Sequence, residues 1–165
     1  MKDFIIIAGA PGVGKTTISR ILQKKLSSPL IDFGSFREFH LLPDWSNEND
    51  MEERMSFENL IFTLKNYAKY GYKNVLVNDL KDSKIQELEK ELKEFDYLIA
   101  TLIISDDQEL RKRVLSPRDS GWKDAEAAVQ WNRELLQRSL LKNEHKIDNT
   151  RKSAIETAEE ISHLL

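Results

Sequence analysis

The eight residues GAPGVGKT, Gly9 to Thr16, constrain this chain more than any other stretch. They fit G-x-x-x-x-G-K-[ST], with Gly9, Gly14, Lys15 and Thr16 at the fixed positions. The run Phe4–Ala8 before them is continuously apolar, as in a strand buried on both faces. From Val13 on, Ile18, Ile21, Leu22 and Leu26 fall on one helical face. A strand that passes through such a turn into a helix is a phosphate cradle. The glycines let successive N–H groups converge on phosphate oxygens, and the helix adds the positive end of its dipole. Gly9, Ala10, Pro11, Gly12, Val13, Gly14, Lys15, Thr16 and Thr17 are therefore the expected nucleotide-binding residues. Lys15 is read as a catalytic cation, exposed before ligand arrives, that reaches the β- and γ-phosphates of ATP. Thr16 supplies a hydroxyl to Mg²⁺. A Gly-rich strand-to-helix turn without function would not explain Lys15 and Thr16.

The remaining pattern alternates strand and helix. Short strands are expected at 29–32, 74–79, 97–104 and 146–148. Amphipathic helices are expected over 57–68, from Ser83, from Ser105 to about Leu115, from near Asp124, and from Ser153. Ser83/Gln86, Ser105/Gln108 and Ser153/Glu156 read as helix-start pairs. Five strands alternating with helices define an α/β fold, a five-stranded parallel sheet with helices on both faces in three layers. Ligands bind such sheets at the carboxyl ends of the strands, which selects residues 9–16, Asp32, Asp79, Ser105 and Asn149. Asp79, closing a buried strand, is the expected second Mg²⁺ contact, direct or through water. A turn or cap residue is its other reading, and neutral Asn78 is the poorer ligand beside it. The polar stretch 42–53 reads as an excursion over the site rather than a domain boundary.

Composition narrows the function classes. The net charge of −3 over 165 residues gives no basic footprint for nucleic acid. With no cysteine, neither a disulfide framework nor a thiolate metal site can form. No apolar run approaches the ~20 residues needed to cross a bilayer. The first residues lead straight into a strand, so a cytoplasmic protein without membrane partner is expected, as monomer or homodimer.

The segments GAPGVGKTT, LIDFGSF, VLVND, RKRVLSPRDSGW and IDNT occur in the order used by P-loop kinases of the nucleoside monophosphate kinase and shikimate kinase group. The chain resembles that group over nearly its whole length. GAPGVGKTT with DFGSF is most similar to archaeal-type adenylate kinases. The resemblance implies a P-loop NTPase fold with strand order 2-3-1-4-5 in a single domain, 1–165. It also implies an acceptor-side excursion at about 34–56 and a lid at about 116–123. It assigns Asp32 to the acceptor hydroxyl, as the group that orients it and takes its proton. The other reading of Asp32 is a helix cap. Arg37 is either a clamp for an acceptor phosphate or a solvated helix residue. Trp45 either stacks on a flat acceptor or anchors its loop. Asn149, in IDNT, matches the segment that lines adenine.

Phosphoryl transfer spreads charge over three equatorial oxygens, and a closing lid can bring cations to them. Arg118, between Pro117 and Gly121, is the expected catalytic cation. Arg111 and Arg113 cannot both face the site, because residues two apart diverge on a helix. Arg133 reads as a surface residue, Trp131 as core, and Trp122 as the base of the lid. A regulatory GTPase would need an N-K-x-D segment, which is absent, and a motor domain usually needs more chain. The expected activity is transfer of the γ-phosphoryl of ATP to a small-molecule hydroxyl, with ATP and Mg²⁺. The alternatives are a nucleoside monophosphate kinase and a P-loop binding protein without kinase activity.

Overall fold

The computed structural model describes residues 1–117 and 122–165. Five strands, β1 (Phe4–Gly9), β2 (Leu30–Asp32), β3 (Val75–Asn78), β4 (Tyr97–Ile103) and β5 (Glu144–Asp148), pair in parallel in the order β2-β3-β1-β4-β5. Every residue of β1 is buried, because it is the central strand with helices on both faces. Its side chains alternate between two cores. Ile5 and Ile7 pack with Leu76, Ala100 and Leu102 on one face, and Phe4, Ile6 and Ala8 pack with Val75, Val77 and Ile99 on the other.

The helices are α1 (Lys15–Leu26), α2 (Phe33–Glu38), α3 (Asp50–Lys69), α4 (Asp82–Glu91), α5 (Asp107–Leu115), α6 (Ala125–Gln137) and α7 (Ala154–Ser162). Ile18 and Leu22 of α1, Leu110 and Val114 of α5, Ala128 and Val129 of α6, and Ala158 and Ile161 of α7 fill the first core. Phe33 of α2, Phe57, Leu60 and Leu64 of α3, and Ile85 and Leu88 of α4 fill the second. None of the helices among the described residues is long and apolar enough to cross a membrane.

Helix starts depart from the sequence reading in three places. The long helix begins at Asp50, not near Phe57. Asn49 caps it by accepting from Glu52 N at 3.0 Å, and Asp50, Glu52 and Glu53 sit at the positive end of its dipole. These acids make the first turns read as polar loop, so the excursion is shorter than expected. Ser83 and Gln86 form no cap, since α4 starts one residue earlier and Gln86 bonds Asp82 instead. Asp106, rather than Ser105, caps α5, and the Ser105 hydroxyl turns to Asp148. The Ser153–Glu156 capping box forms as expected.

Candidate active site

The carboxyl ends of β1, β2 and β3 open into one cleft of about 980 Å³. The phosphate loop forms one wall. Gly9 leaves β1 with φ of +134°, and a Cβ there would lie 2.6 Å from the Leu102 carbonyl oxygen of β4, so only glycine permits this approach. Ala10 and Val13 are fully buried beneath the loop, while Pro11, Gly12, Gly14, Lys15, Thr16 and Thr17 line the cleft. Lys15 differs from the expectation of an exposed cation. Its side chain is 11% exposed and folds back over the loop, donating to the carbonyls of Gly9 at 2.9 Å and Ala10 at 3.2 Å. Its Nζ lies 3.8 Å from Asp79 Oδ1, so the loop cation and the carboxylate ending β3 meet across the cleft floor.

Asp79 has φ of +64°, a left-handed conformation that aspartate tolerates better than most side chains, and its carboxylate is exposed to the cleft. Asp32 is half-buried at the end of β2. It caps α2, accepting from Gly34 N at 3.0 Å. A Cβ on Gly34 would sit 3.1 Å from Asp32 Oδ1 and 3.4 Å from Asp79 Oδ2, so the two carboxylates flank one narrow gap. Burial, and then the charge of Asp79, push the Asp32 carboxyl above the ordinary aspartate value. Capping does not remove Asp32 from chemistry, because a carboxylate has acceptor capacity beyond one N–H.

The wall facing the loop is built from α2, the start of α3 and the segment between them. Arg37 is not the solvated helix residue of one sequence reading: it is buried and borders the cleft. Its side chain is 5% exposed, and carboxylates hold its Nε and Nη2. Nε donates to Glu52, Nη2 to Glu52 at 2.7 Å and to Glu48 at 2.9 Å, and Nη1 lies 3.7 Å from Glu53. Glu52 also accepts from Ser56 at 2.9 Å, and the Arg37 hydrogen bond holds its carboxyl below the usual glutamate range. Trp45 lies over the Arg37 guanidinium at 5.0 Å and lines the cleft. Lys81, just before α4, joins this wall through Glu53 and lies 3.7 Å from Glu48. Glu48 and Lys81 both line the cleft, and sequence reasoning assigned neither a role.

Asn149 does not take the nucleobase-facing position that its segment suggests. It is buried, and its Nδ2 donates to the Val13 carbonyl of the phosphate loop at 2.6 Å. Its Oδ1 accepts from the Thr157 hydroxyl of α7, also at 2.6 Å. The side chain is a strut beneath the loop. Of the paired arginines, Arg113 faces the cleft, held by Glu109 and by the carbonyls of Asn149 and Thr150. Arg111 pairs outward with Glu126, and Arg133 pairs with Asp107 away from the cleft. Trp122 and Trp131 line the cleft, and Trp131 is only partly buried against the core. Arg118 lies outside the described residues.

Thr16 and Asp79 supply one hydroxyl and one carboxylate, a donor set suited to a hard cation that keeps waters and phosphate oxygens. Among the described residues no three His, Cys, Asp or Glu side chains gather as a closed metal site.

The loop, the sheet order and the cleft at the strand ends define a P-loop nucleotide-binding fold of the kinase type. Residues 5–132 match the AAA domain family model, and the chain belongs to that family. No curated protein matches the chain. Among solved structures, it is similar to a sugar kinase from Janibacter sp. HTCC2649, with 13% identity and a TM-score of 0.73. That likeness covers 98% of this chain and 92% of the other. A gluconokinase from Sinorhizobium meliloti 1021 gives 16% identity and 0.69, covering 97% and 90%. A shikimate kinase from Bacteroides thetaiotaomicron gives 14% and 0.69, covering 99% and 98%. At these identities the likeness is one of fold.

Proposed function

We propose that the chain is an ATP-dependent phosphotransferase that moves the γ-phosphoryl of ATP to the hydroxyl of a small molecule. The observation that carries this reading is the convergence of Lys15, Asp79 and Asp32 on the floor of one cleft, with Lys15 Nζ 3.8 Å from Asp79. The loop N–H groups and the start of α1 hold the phosphates. Lys15 exchanges its loop carbonyls for β- and γ-phosphate oxygens when ATP enters. The Thr16 hydroxyl and the Asp79 carboxylate are the groups that would hold Mg²⁺, whose charge offsets that of the phosphates. Asp32 accepts the hydroxyl proton while the acceptor oxygen bonds to the γ-phosphorus and the bond from that phosphorus to the bridging oxygen of ADP breaks. Burial and the charge of Asp79 raise its pKa, which makes it a stronger base than an ordinary aspartate. Arg118 is assigned to the charge that develops on the transferred group.

The named kinases of similar fold support this class, as do the Asp32 position and the engagement of Arg37 by carboxylates. The test is ADP release against a panel of nucleosides, nucleotides, sugars and hydroxy acids. Lys15→Ala is expected to lose at least ~100-fold in turnover, the scale of one electrostatic stabiliser. Asp32→Asn is expected to lose ~10²–10⁴-fold with a hydroxyl acceptor and to abolish the acid limb of the pH profile. A Lys15→Ala enzyme within about threefold of wild type would refute the reading.

A further inference from the structure

The long helix α3 buries one side and leaves another uncovered. Phe57, Leu60, Ile61 and Leu64 enter the core, while Met51, Met55, Glu58, Phe62, Lys65 and Lys69 are exposed. The exposed positions are four and three residues apart in alternation, the repeat of a seam between two helices. Phe62 is 74% exposed and Met51 80%, and apolar side chains grouped on one face mark a contact surface. None of the six lines the catalytic cleft. Beside Phe62 runs a groove of about 240 Å³, floored by buried Phe57 and Ile61. A cavity of roughly 150 Å³ already admits a benzene ring, so this groove has room for one aromatic side chain. Its rim carries both signs of charge, with Arg54, Glu58 and Lys65 on α3 and Glu91 at the end of α4. Arg54 is met within the chain by Glu58 and Glu87. Among the described residues, Lys65 and Glu91 form no ion pair within the chain.

We propose that a second copy of this chain docks here, its α3 antiparallel to the first about a two-fold axis, with Phe62 of each copy seated at the groove of the other. In the register that sets Phe62 beside Ile61 of the second copy, Glu58 falls beside the second copy's Lys65. The symmetry makes that ion pair twice, so the seam complements itself in shape and in charge, as an isologous contact must. Glu91 adds a further carboxylate on the far rim. Arg54 and Lys69 are the like charges that this register brings towards each other. They lie away from the axis, where crossed helices diverge, and Arg54 is already paired. Two helices of ~30 Å with their flanks cover roughly 1,000 Å² in total, the low end for a specific interface, so the dimer is weak and concentration-dependent. The contact uses no cleft residue and stands independently of the phosphotransfer reading.

Sedimentation equilibrium of the full chain between ~1 and ~500 µM tests this. The mass is expected to pass from that of one chain to that of two, with a dissociation constant on the order of 10 µM. Phe62→Asp and Lys65→Glu, both at exposed positions, are each expected to raise that constant at least ~10-fold, because every substitution acts twice across the axis. Glu58→Lys combined with Lys65→Glu restores the pair with its signs exchanged, and should return the constant to within about threefold of wild type. Phe62→Ser carries the test if Phe62→Asp melts below wild type at ~1 µM, where the chain is monomeric. A wild-type chain that stays monomeric over the whole range would overturn the proposal. So would a dimer indifferent to the Phe62 and Lys65 substitutions, or a double variant no tighter than Lys65→Glu alone. A monomer that binds phosphatidylcholine–phosphatidylglycerol vesicles through Phe62 would overturn it too, and would give the surface to lipid.

Discussion

Replacing Asn149 by alanine removes a buried strut that joins the phosphate loop to α7. The Val13 carbonyl loses its 2.6 Å donor in a region closed to water, and the Thr157 hydroxyl loses one acceptor but keeps the Ser153 carbonyl at 3.1 Å. One orphaned buried acceptor costs about 1–3 kcal/mol, and the small void left by the amide adds to it. A loss near 2–3 kcal/mol is expected, which for a chain of this size lowers the melting temperature by about 5–10 °C. The loss should appear without nucleotide, in thermal unfolding followed by circular dichroism. Nucleotide affinity should fall by roughly tenfold as well, if about half of the lost order must be restored on binding. The alternative assignment, contact with the nucleobase, predicts a different pattern: unchanged melting of the free protein and a loss confined to nucleotide binding. A melting temperature within about 1 °C of wild type would refute the strut argument.

Asp79→Asn should leave melting unchanged, because asparagine also tolerates the left-handed backbone, while Asp79→Ala should cost about 1 kcal/mol. The Mg²⁺ concentration for half-maximal activity should rise ~10-fold in Asp79→Asn, measured by titrating the metal at fixed ATP. Glu144→Gln should destabilise by about 1–3 kcal/mol. The Glu144 side chain is fully buried and accepts from Arg138 Nη1 and Nη2 at 2.7 Å, so neutralising it weakens a buried charge-assisted contact while Asp82 still pairs with Arg138 at 2.9 Å. Burial raises the Glu144 pKa, but the hydrogen bonds from Arg138, Leu141 and Thr101 outweigh it and hold the group below its usual value. Its contribution is therefore complete above the unfolded glutamate value and is lost as pH falls through the folded one. Denaturant midpoints for wild type and variant should converge on acidification and stay apart at neutral pH.

The parts legible in the sequence were those fixed by short-range rules. Phe4–Ala8 announces a central strand because both of its faces are buried, and the loop after it is marked by glycines such as Gly9, where a Cβ would collide with Leu102. Ser153 and Glu156 cap each other within four residues, so their pairing shows in the local pattern. Arg37 was misread because its partners Glu48 and Glu52 lie 11 and 15 residues away, across a helix start that looked like loop. Asn149 was misread for a related reason. Its partner Val13 is 136 residues distant, and IDNT carries no mark of which way the amide turns. Glu48 and Lys81 acquire meaning only when the start of α3 and the approach to α4 are brought together by the fold.

The backbone at Asp79 bears on how any set of related sequences should be read. With φ at +64°, the position admits aspartate, asparagine or glycine at little cost and penalises nearly every other side chain. Invariance of aspartate there, taken alone, would therefore report geometry as much as metal chemistry. The informative substitution is glycine. A descendant lineage that drifted to glycine would keep the turn and the fold while surrendering the carboxylate, so it would mark proteins that still bind nucleotide after transfer has been lost. Asparagine would mark the intermediate stage. Sorting relatives by these three residues would separate inherited shape from retained activity at a single column.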